Sequence, residues 1–207
     1  AAGRIKTTVM LHTLSATERV LGGVNADFFS LANGTPTGLL VIDGRMLTPP
    51  IAMPVLAVDS SGVPRITTFS LASGVLQPMH PRYAVGGRPL LVRDSVIEGA
   101  VDTFGQASFI ARNPRTAAGI GNNGHRLLLA VVDGRQKPYS DGMSLRELAA
   151  FMRALGARDV INLDGGGSST LVYADPDSAG ALRIANRPSD KSERAVGDAI
   201  AIVRRCK

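Results

Sequence analysis

Residues 162 to 170, Asn-Leu-Asp-Gly-Gly-Gly-Ser-Ser-Thr, set a carboxylate at the end of an apolar stretch and follow it with three glycines and three hydroxyls. Val160 and Ile161 lie between Asp159 and Asp164, so Asp164 is expected where a buried strand reaches solvent. Gly165, Gly166 and Gly167 let main-chain N–H groups face a bound group, and converging N–H groups favour an anion. Ser168, Ser169 and Thr170 add adaptable donors. The bland alternative is a mobile loop or bulge, which is what three glycines signal by themselves.

Other polar groups could join that site. Arg112-Asn113-Pro114-Arg115-Thr116-Ala117-Ala118-Gly119 reads as a loop placing the Arg115 guanidinium beside a hydroxyl, and a guanidinium fork matches phosphate or carboxylate oxygens. A surface arginine in a turn is the competing reading. Near the C-terminus, Asn186 to Asp190 and Glu193-Arg194 form a polar run that a solvated loop would equally explain. Asp43-Gly44-Arg45 and Asp133-Gly134-Arg135 each end an apolar run, which is ordinary hairpin chemistry. His12, His80 and His125 are far apart in metal-ligand terms, and no metal or other cofactor is expected. The glycines are not followed by the lysine of a phosphate-binding loop, nor do they form a Gly-x-Ser-x-Gly nucleophile elbow.

The elements that must hold these groups are strand-rich. Ser15-Ala16-Thr17-Glu18 and Ser144-Leu145-Arg146-Glu147 have the spacing of capping boxes, so each predicts a helix start. The second helix carries Leu145, Leu148, Ala149, Met152 and Leu155 at helical spacing and stops at Gly156; the first is short and stops at Gly22-Gly23. After each helix a short strand ends Asn-x-Asp, at Asn25/Asp27 and Asn162/Asp164, and residues two apart share a face. Further strands are predicted over 5–11, 39–42, 55–59, 65–69, 89–97, 107–111, 128–132 and 199–203. Polar connections are predicted over 33–38, 46–54, 72–88, 112–125 and 174–194. Many strands and few helices argue an α+β fold, a strand-rich mixed sheet core in a single domain spanning residues 1–207.

Composition narrows the class. Hydrophobic residues make up 44% of the 207 and aromatics only 4% with no Trp, which points to an aliphatic core. The formal net charge of +6 favours anionic partners, but the basic residues are scattered, Arg204-Arg205 is the only adjacent pair, and nothing interleaves aromatics with them. Nucleic acid is therefore not an expected partner. The single cysteine, Cys206, makes no internal disulfide. No apolar run is long enough for a membrane span, and residues 1–20 show no secretory signal. Oligomeric state is not legible.

The chain resembles the phosphodiester glycosidase family. The resemblance is carried by Asn25-Ala26-Asp27-Phe28-Phe29, Gly87 to Arg93, Pro114 to Gly119, Asp133-Gly134-Arg135, the helix over 144–156, Asn162 to Thr170, Pro188-Ser189-Asp190 and Arg194, in the family's order. It implies hydrolysis of the bond between a sugar C1 and a phosphate that is itself esterified, as in N-acetylglucosamine-1-phosphodiesters, and an exported protein acting on glycans. It also implies Asp164 as the group acting at C1, with Glu193 or Asp27 as its partner carboxylate. Asn25, Arg115, Arg135, Gly165, Gly166, Gly167, Ser168, Ser169 and Arg194 would line the substrate site. The competing classes are a non-catalytic module binding anionic polysaccharide and a phosphodiesterase cutting P–O.

Overall fold

The computed structural model describes residues 3–204. Arg205 and Cys206, read above as part of a basic pair and as a lone thiol, lie outside the described residues. The fold is α+β and its strand pairings are antiparallel throughout the described residues. A central five-stranded sheet has the order Val96–Ile97, Leu90–Arg93, Ala157–Asn162, Arg115–Gly121, Arg126–Val132. A four-stranded sheet contains Arg19–Asn25 between Leu171–Asp175 and Ala199–Arg204, with Ala181–Ile184 at its edge. A second five-stranded sheet is built from Arg45–Thr48, Leu40–Ile42, Tyr83–Gly86, Pro54–Val58 and Pro64–Thr68.

The strand Arg115–Gly121 is buried at every position, because it is covered on both faces. Its period-2 alternation divides the core. Ala117 joins Leu145, Leu148, Ala149 and Met152 of helix α3, Leu145–Ala154, in one apolar cluster. Ala118 and Ile120 face the opposite way, towards Leu56, Val85, Ile161 and Leu163. Gly119 lies where a Cβ would come within 3.0 Å of Met152 Cε and 2.9 Å of Ala157 Cβ, so helix and sheet meet at a separation that only glycine permits. Helix α3 begins where predicted: Ser144 Oγ accepts from Glu147 N at 3.2 Å and Glu147 Oε2 accepts from Ser144 N at 2.9 Å.

Several sequence expectations fail, each for a tertiary reason. The run 5–11 is rich in β-branched residues and was expected to be a strand. Only Ile5–Lys6 pairs, and Thr7–Leu14 forms helix α1. No side chain of its own N-cap supports α1; instead Glu193, 185 residues away, accepts from Thr8 N at 2.8 Å and from Thr8 Oγ1 at 2.5 Å. Ser15 consequently stands at the end of the helix, its hydroxyl donating to His12 O, and Arg19–Asn25, Gly22 and Gly23 included, is strand. The segment 107–111 was also expected to be a strand. It contains the single helical turn α2, Ala107–Ile110, whose trailing carbonyls are taken by Arg115.

Four of the expected connections contain strands, the stretch 46–54 holding most of Arg45–Thr48. The stretch 112–125 holds Arg115–Gly121, 72–88 holds Val75–Gln77 and Tyr83–Gly86, and 174–194 holds the hairpin strand Ala181–Ile184. The segment 89–97 is two strands joined by a turn at Asp94 and Ser95, both at positive φ. Asp43-Gly44 makes the expected hairpin, with φ of 48° and 76°. Asp133-Gly134 does not. Asp133 accepts from Asn186 Nδ2, Arg187 N and Tyr139 Oη, and so ties two loops together beside the site.

The α3 contact is predicted to dominate stability. Leu148→Ala should cost about 2–5 kcal/mol, and Ser144→Ala about 1 kcal/mol, both read as shifts of the urea midpoint. Equal small losses would mean that α3 is peripheral to the core.

Candidate active site

At the ends of the central strands a cavity of about 550 Å³ opens. Arg115, Arg135, Asp164, Gly165, Gly166, Gly167 and Arg194 all line it, so these seven expected residues converge from four separate stretches of sequence. Phe28, Arg88, Phe109, Asn113 and Asn162 complete most of the wall.

Asn25, Ser168 and Ser169 are placed beneath the cavity instead of in it. Asn25 Nδ2 donates to the main-chain carbonyl of Asp164 at 2.6 Å, while its Oδ1 accepts from Thr116 Oγ1 at 2.8 Å and Thr170 N at 3.1 Å. One buried amide thus fixes the backbone on both sides of the glycine turn and ties it to the central strand. Ser169 is buried on the same network, 3.3 Å from Thr116 Oγ1. Ser168 lies buried beside the Asp164 carboxyl.

The glycines serve close approach more than amide display. Gly166 N already donates to Pro114 O at 2.9 Å, and Ser168 N and Ser169 N close the turn onto Gly165 O and Gly166 O. What the missing side chains provide is room for arginines. A Cβ on Gly166, which has φ of 62°, would sit 3.3 Å from Arg135 Nη1, and one on Gly167 would overlap Arg194 and Asp190. Gly165 is similarly pressed against Pro114 O.

The four cavity arginines are not equivalent. Arg115 is 3% exposed and its guanidinium is engaged: Nε donates to Met143 O at 2.9 Å, and Nη2 donates to Phe109 O at 2.7 Å and Ala111 O at 2.6 Å. Burial, and then the neighbouring Arg135, lower its pKa to about 10, so it stays charged at neutral pH. Arg194 is held by Asp190 through Nε and Nη2. Arg135 gives Nε to Asn113 Oδ1 and leaves its terminal nitrogens against Gly166. Among the described residues Arg88 has no hydrogen-bond or ion-pair partner for its guanidinium, which stacks over the Phe28 ring at 5.2 Å. The sequence does not mark Arg88 as a site residue, although it falls within the Gly87 to Arg93 segment of the family resemblance; nothing local distinguishes it from a surface arginine.

The expected partner carboxylate Glu193 is not in the cavity. It is buried and committed to the N-terminus of α1, a structural role. Asp27, buried and itself off the cavity wall, is the carboxylate whose charge acts on Asp164, and behind it lies a third, Asp198, which the sequence does not single out. Asp198 Oδ1 accepts from Asp27 N at 2.8 Å, and Gly38 N donates to Asp27 Oδ2 at 2.6 Å. Asp27 Oδ1 and Asp198 Oδ2 are buried without a hydrogen-bond partner.

Taking these groups out of water raises all three pKa values. Asp164 is pushed up to about 6 chiefly by desolvation; Ser168, Arg194 and Gly165 N oppose the rise, and Asp27 adds to it. Asp27 also reaches about 6 by desolvation, opposed by Gly38 N, Phe28 N and Arg88. Asp198 rises to about 8, first by desolvation and then by the charge of Asp27. At neutral pH the innermost carboxyl therefore keeps its proton while the two nearer the cavity are largely ionised. Among the described residues no group of three or more His, Cys, Asp or Glu side chains is arranged to hold a metal ion.

Two predictions follow from this arrangement. Arg115→Lys should destabilise the fold and lower activity despite keeping the charge, because one ammonium cannot reach three carbonyls on α2 and the Met143 loop; wild-type thermal stability would contradict it. For Asp198, the folded pKa of about 8 exceeds the ordinary aspartate value of 3.8, so native protein holds an extra proton between those limits and stability falls as pH rises through them. Asp198→Asn should then raise the thermal midpoint more at pH 8 than at pH 5. A shift independent of pH would show that Asp198 ionises normally.

Comparison with known proteins places the chain in a family. Residues 18–203 match the family model described as phosphodiester glycosidase. The chain is 29% identical over 164 residues to mouse N-acetylglucosamine-1-phosphodiester alpha-N-acetylglucosaminidase; the match takes in 72% of this chain but 31% of that protein, so the chain spans under a third of the curated relative. The catalytic domain of the zebrafish protein of the same name, auto-inhibited by its pro-peptide, superposes with a TM-score of 0.78 at 23% identity, over 98% of this chain and 68% of that one. A Synechocystis protein superposes with a TM-score of 0.74 at 17% identity, over 99% and 55%. A Burkholderia pseudomallei protein described as exported does so with 0.64 at 20%, over 98% and 68%. Because the family match runs through residues 18–203, nearly the whole chain, the protein belongs to the phosphodiester glycosidase family.

Proposed function

We propose that the protein hydrolyses the C1–O bond of a sugar-1-phosphodiester, of the N-acetylglucosamine-1-phosphodiester kind, releasing free sugar and a phosphomonoester. The observation that carries this reading is Asp164: a desolvated carboxyl at the floor of a cavity walled by four guanidiniums, in a chain of this family. Water supplies the new oxygen on C1, and the C1–O electron pair leaves with the phosphate.

That leaving group shapes the mechanism. A phosphomonoester departs far more readily than a sugar alkoxide, so holding its charge matters more than protonating it. Arg88 takes the phosphate, since its guanidinium has no protein acceptor to give up. Arg135 and Arg194, close over Gly166 and Gly167, hold the sugar's oxygens. Arg115 is a positioning residue, fixing α2 and the Met143 loop around the cavity. Asp164 brings negative charge to C1 as positive charge develops there. Asp27, beside it, is its partner carboxylate, and Asp198 stays neutral behind both, so that three charges are not confined together. The net charge of +6 draws anionic substrates towards the site. Export, in line with the family resemblance, is part of the same proposal. No described helix is long and apolar enough to cross a membrane.

Asp164→Asn should leave the fold intact and lower turnover of a sugar-1-phosphodiester by orders of magnitude, because the isosteric amide cannot carry the charge. Near-normal turnover would remove the mechanism. In the wild type, kcat/KM should decline as pH falls through about 6, the region in which Asp164 takes up its proton. A flat profile from pH 7 down to 4.5 would show that Asp164 ionisation does not limit the reaction.

A further inference from the structure

A second cavity, of about 380 Å³, opens beside the first, and Arg88 and Phe104 are walls of both. Its character is different. Ile51, Met53, Pro54, Pro89 and Leu90 line it, with Met53 only 4% exposed while Ile51 is 43% exposed. The carboxylate on its wall, Glu98, lies 3.6 Å from Arg93 in an ion pair. An aliphatic cleft thus begins at the guanidinium that has no protein acceptor among the described residues.

This junction matches one kind of molecule: an anion joined directly to an apolar group. A polar alcohol would find few hydrogen-bonding partners among Ile51, Met53, Pro54, Pro89 and Leu90, and would lose hydration without replacement. An alkyl or aryl group would cover that surface, with a gain of roughly 25 cal/mol per Å² of apolar area removed from water.

We propose that the second cavity receives the alcohol-derived half of the phosphodiester, and that this half is apolar, an alkyl or aryl group. The placement rests on the function proposed above: sugar against Asp164 in the first cavity, phosphate at Arg88, apolar group beyond Phe104. The substrate class is then a sugar phosphate esterified to a hydrophobic alcohol, and the reaction that supplies it is transfer of a sugar phosphate to such an alcohol or of a sugar to its phosphate.

Binding can be separated from turnover. Isothermal titration calorimetry with octyl phosphate, benzyl phosphate and glycerol phosphate tests the cleft directly, since these are the phosphomonoester products the competing substrates would leave. Octyl or benzyl phosphate should bind at least about tenfold more tightly than glycerol phosphate, an increment that two or three buried methylenes provide. The better of the two identifies the group as alkyl or aryl. Ile51→Asp, at an exposed position, should shrink that ratio towards one. Equal affinities for all three, or a ratio untouched by Ile51→Asp, would overturn the proposal. Turnover of the matching sugar diesters distinguishes the two readings: preference for octyl phosphate with no diester hydrolysed removes the proposed reaction alone, whereas octyl, benzyl and glyceryl diesters cleaved with equal kcat/KM remove the apolar cleft alone.

Discussion

An ionised carboxyl moved out of water loses hydration that only charge or hydrogen bonds can replace, and the site is arranged around that constraint at Asp164. The Asn25 amide fixes the main chain on both sides of the glycine turn, and so the position from which the Asp164 side chain enters the cavity. Arg194, the Ser168 hydroxyl and Gly165 N return part of the lost stabilisation, and Asp27 opposes them. The outcome is a carboxyl poised near 6: ionised at neutral pH, yet poorly solvated and therefore reactive towards developing positive charge.

The same constraint explains the nesting of acids behind it. Asp27 and Asp198 share one hydrogen bond through the Asp27 amide, and each has one buried oxygen without a partner. If all three carboxyls were charged, their repulsion would act in a medium of low polarity. Proton retention by the innermost, Asp198, relieves this and leaves the charge where the cavity is. The arginines divide similarly between scaffold and site. Arg115 gives its donors to carbonyls of α2 and of the Met143 loop, so it builds the wall; Arg88 gives its donors to no described residue and faces the junction of two cavities.

The parts of this site that were legible in the sequence are those that local chemistry dictates. Ser144 with Glu147 required a helix start, which is present, whereas the three glycines after Asp164, read as displaying amides to an anion, instead make room for Arg135 and Arg194. Arg135 and Arg194 stand against those glycines in the cavity wall. What local sequence could not show was partnership across distance. Glu193 looked like a free acid in a polar run, and only the fold reveals that it caps α1 from 185 residues away. For the same reason residues 5–11, β-branched and with no local helix cap, read as a strand although Thr7–Leu14 is helical. Arg115 to Gly121 read as a loop because small residues and a preceding proline dominate it, yet small residues are what a strand buried on both faces beneath Met152 needs. Asp198 sits in an unremarkable stretch, and its neighbour Asp27 lies 171 positions away.

The claim that Asp164 directs hydrolysis to the sugar carbon is tested most directly by cleaving a sugar-1-phosphodiester in oxygen-18 water and weighing both products. The account predicts one heavy oxygen in the free sugar and none in the phosphomonoester. Heavy oxygen in the phosphomonoester, with an unlabelled sugar, would place the attack at phosphorus and contradict it.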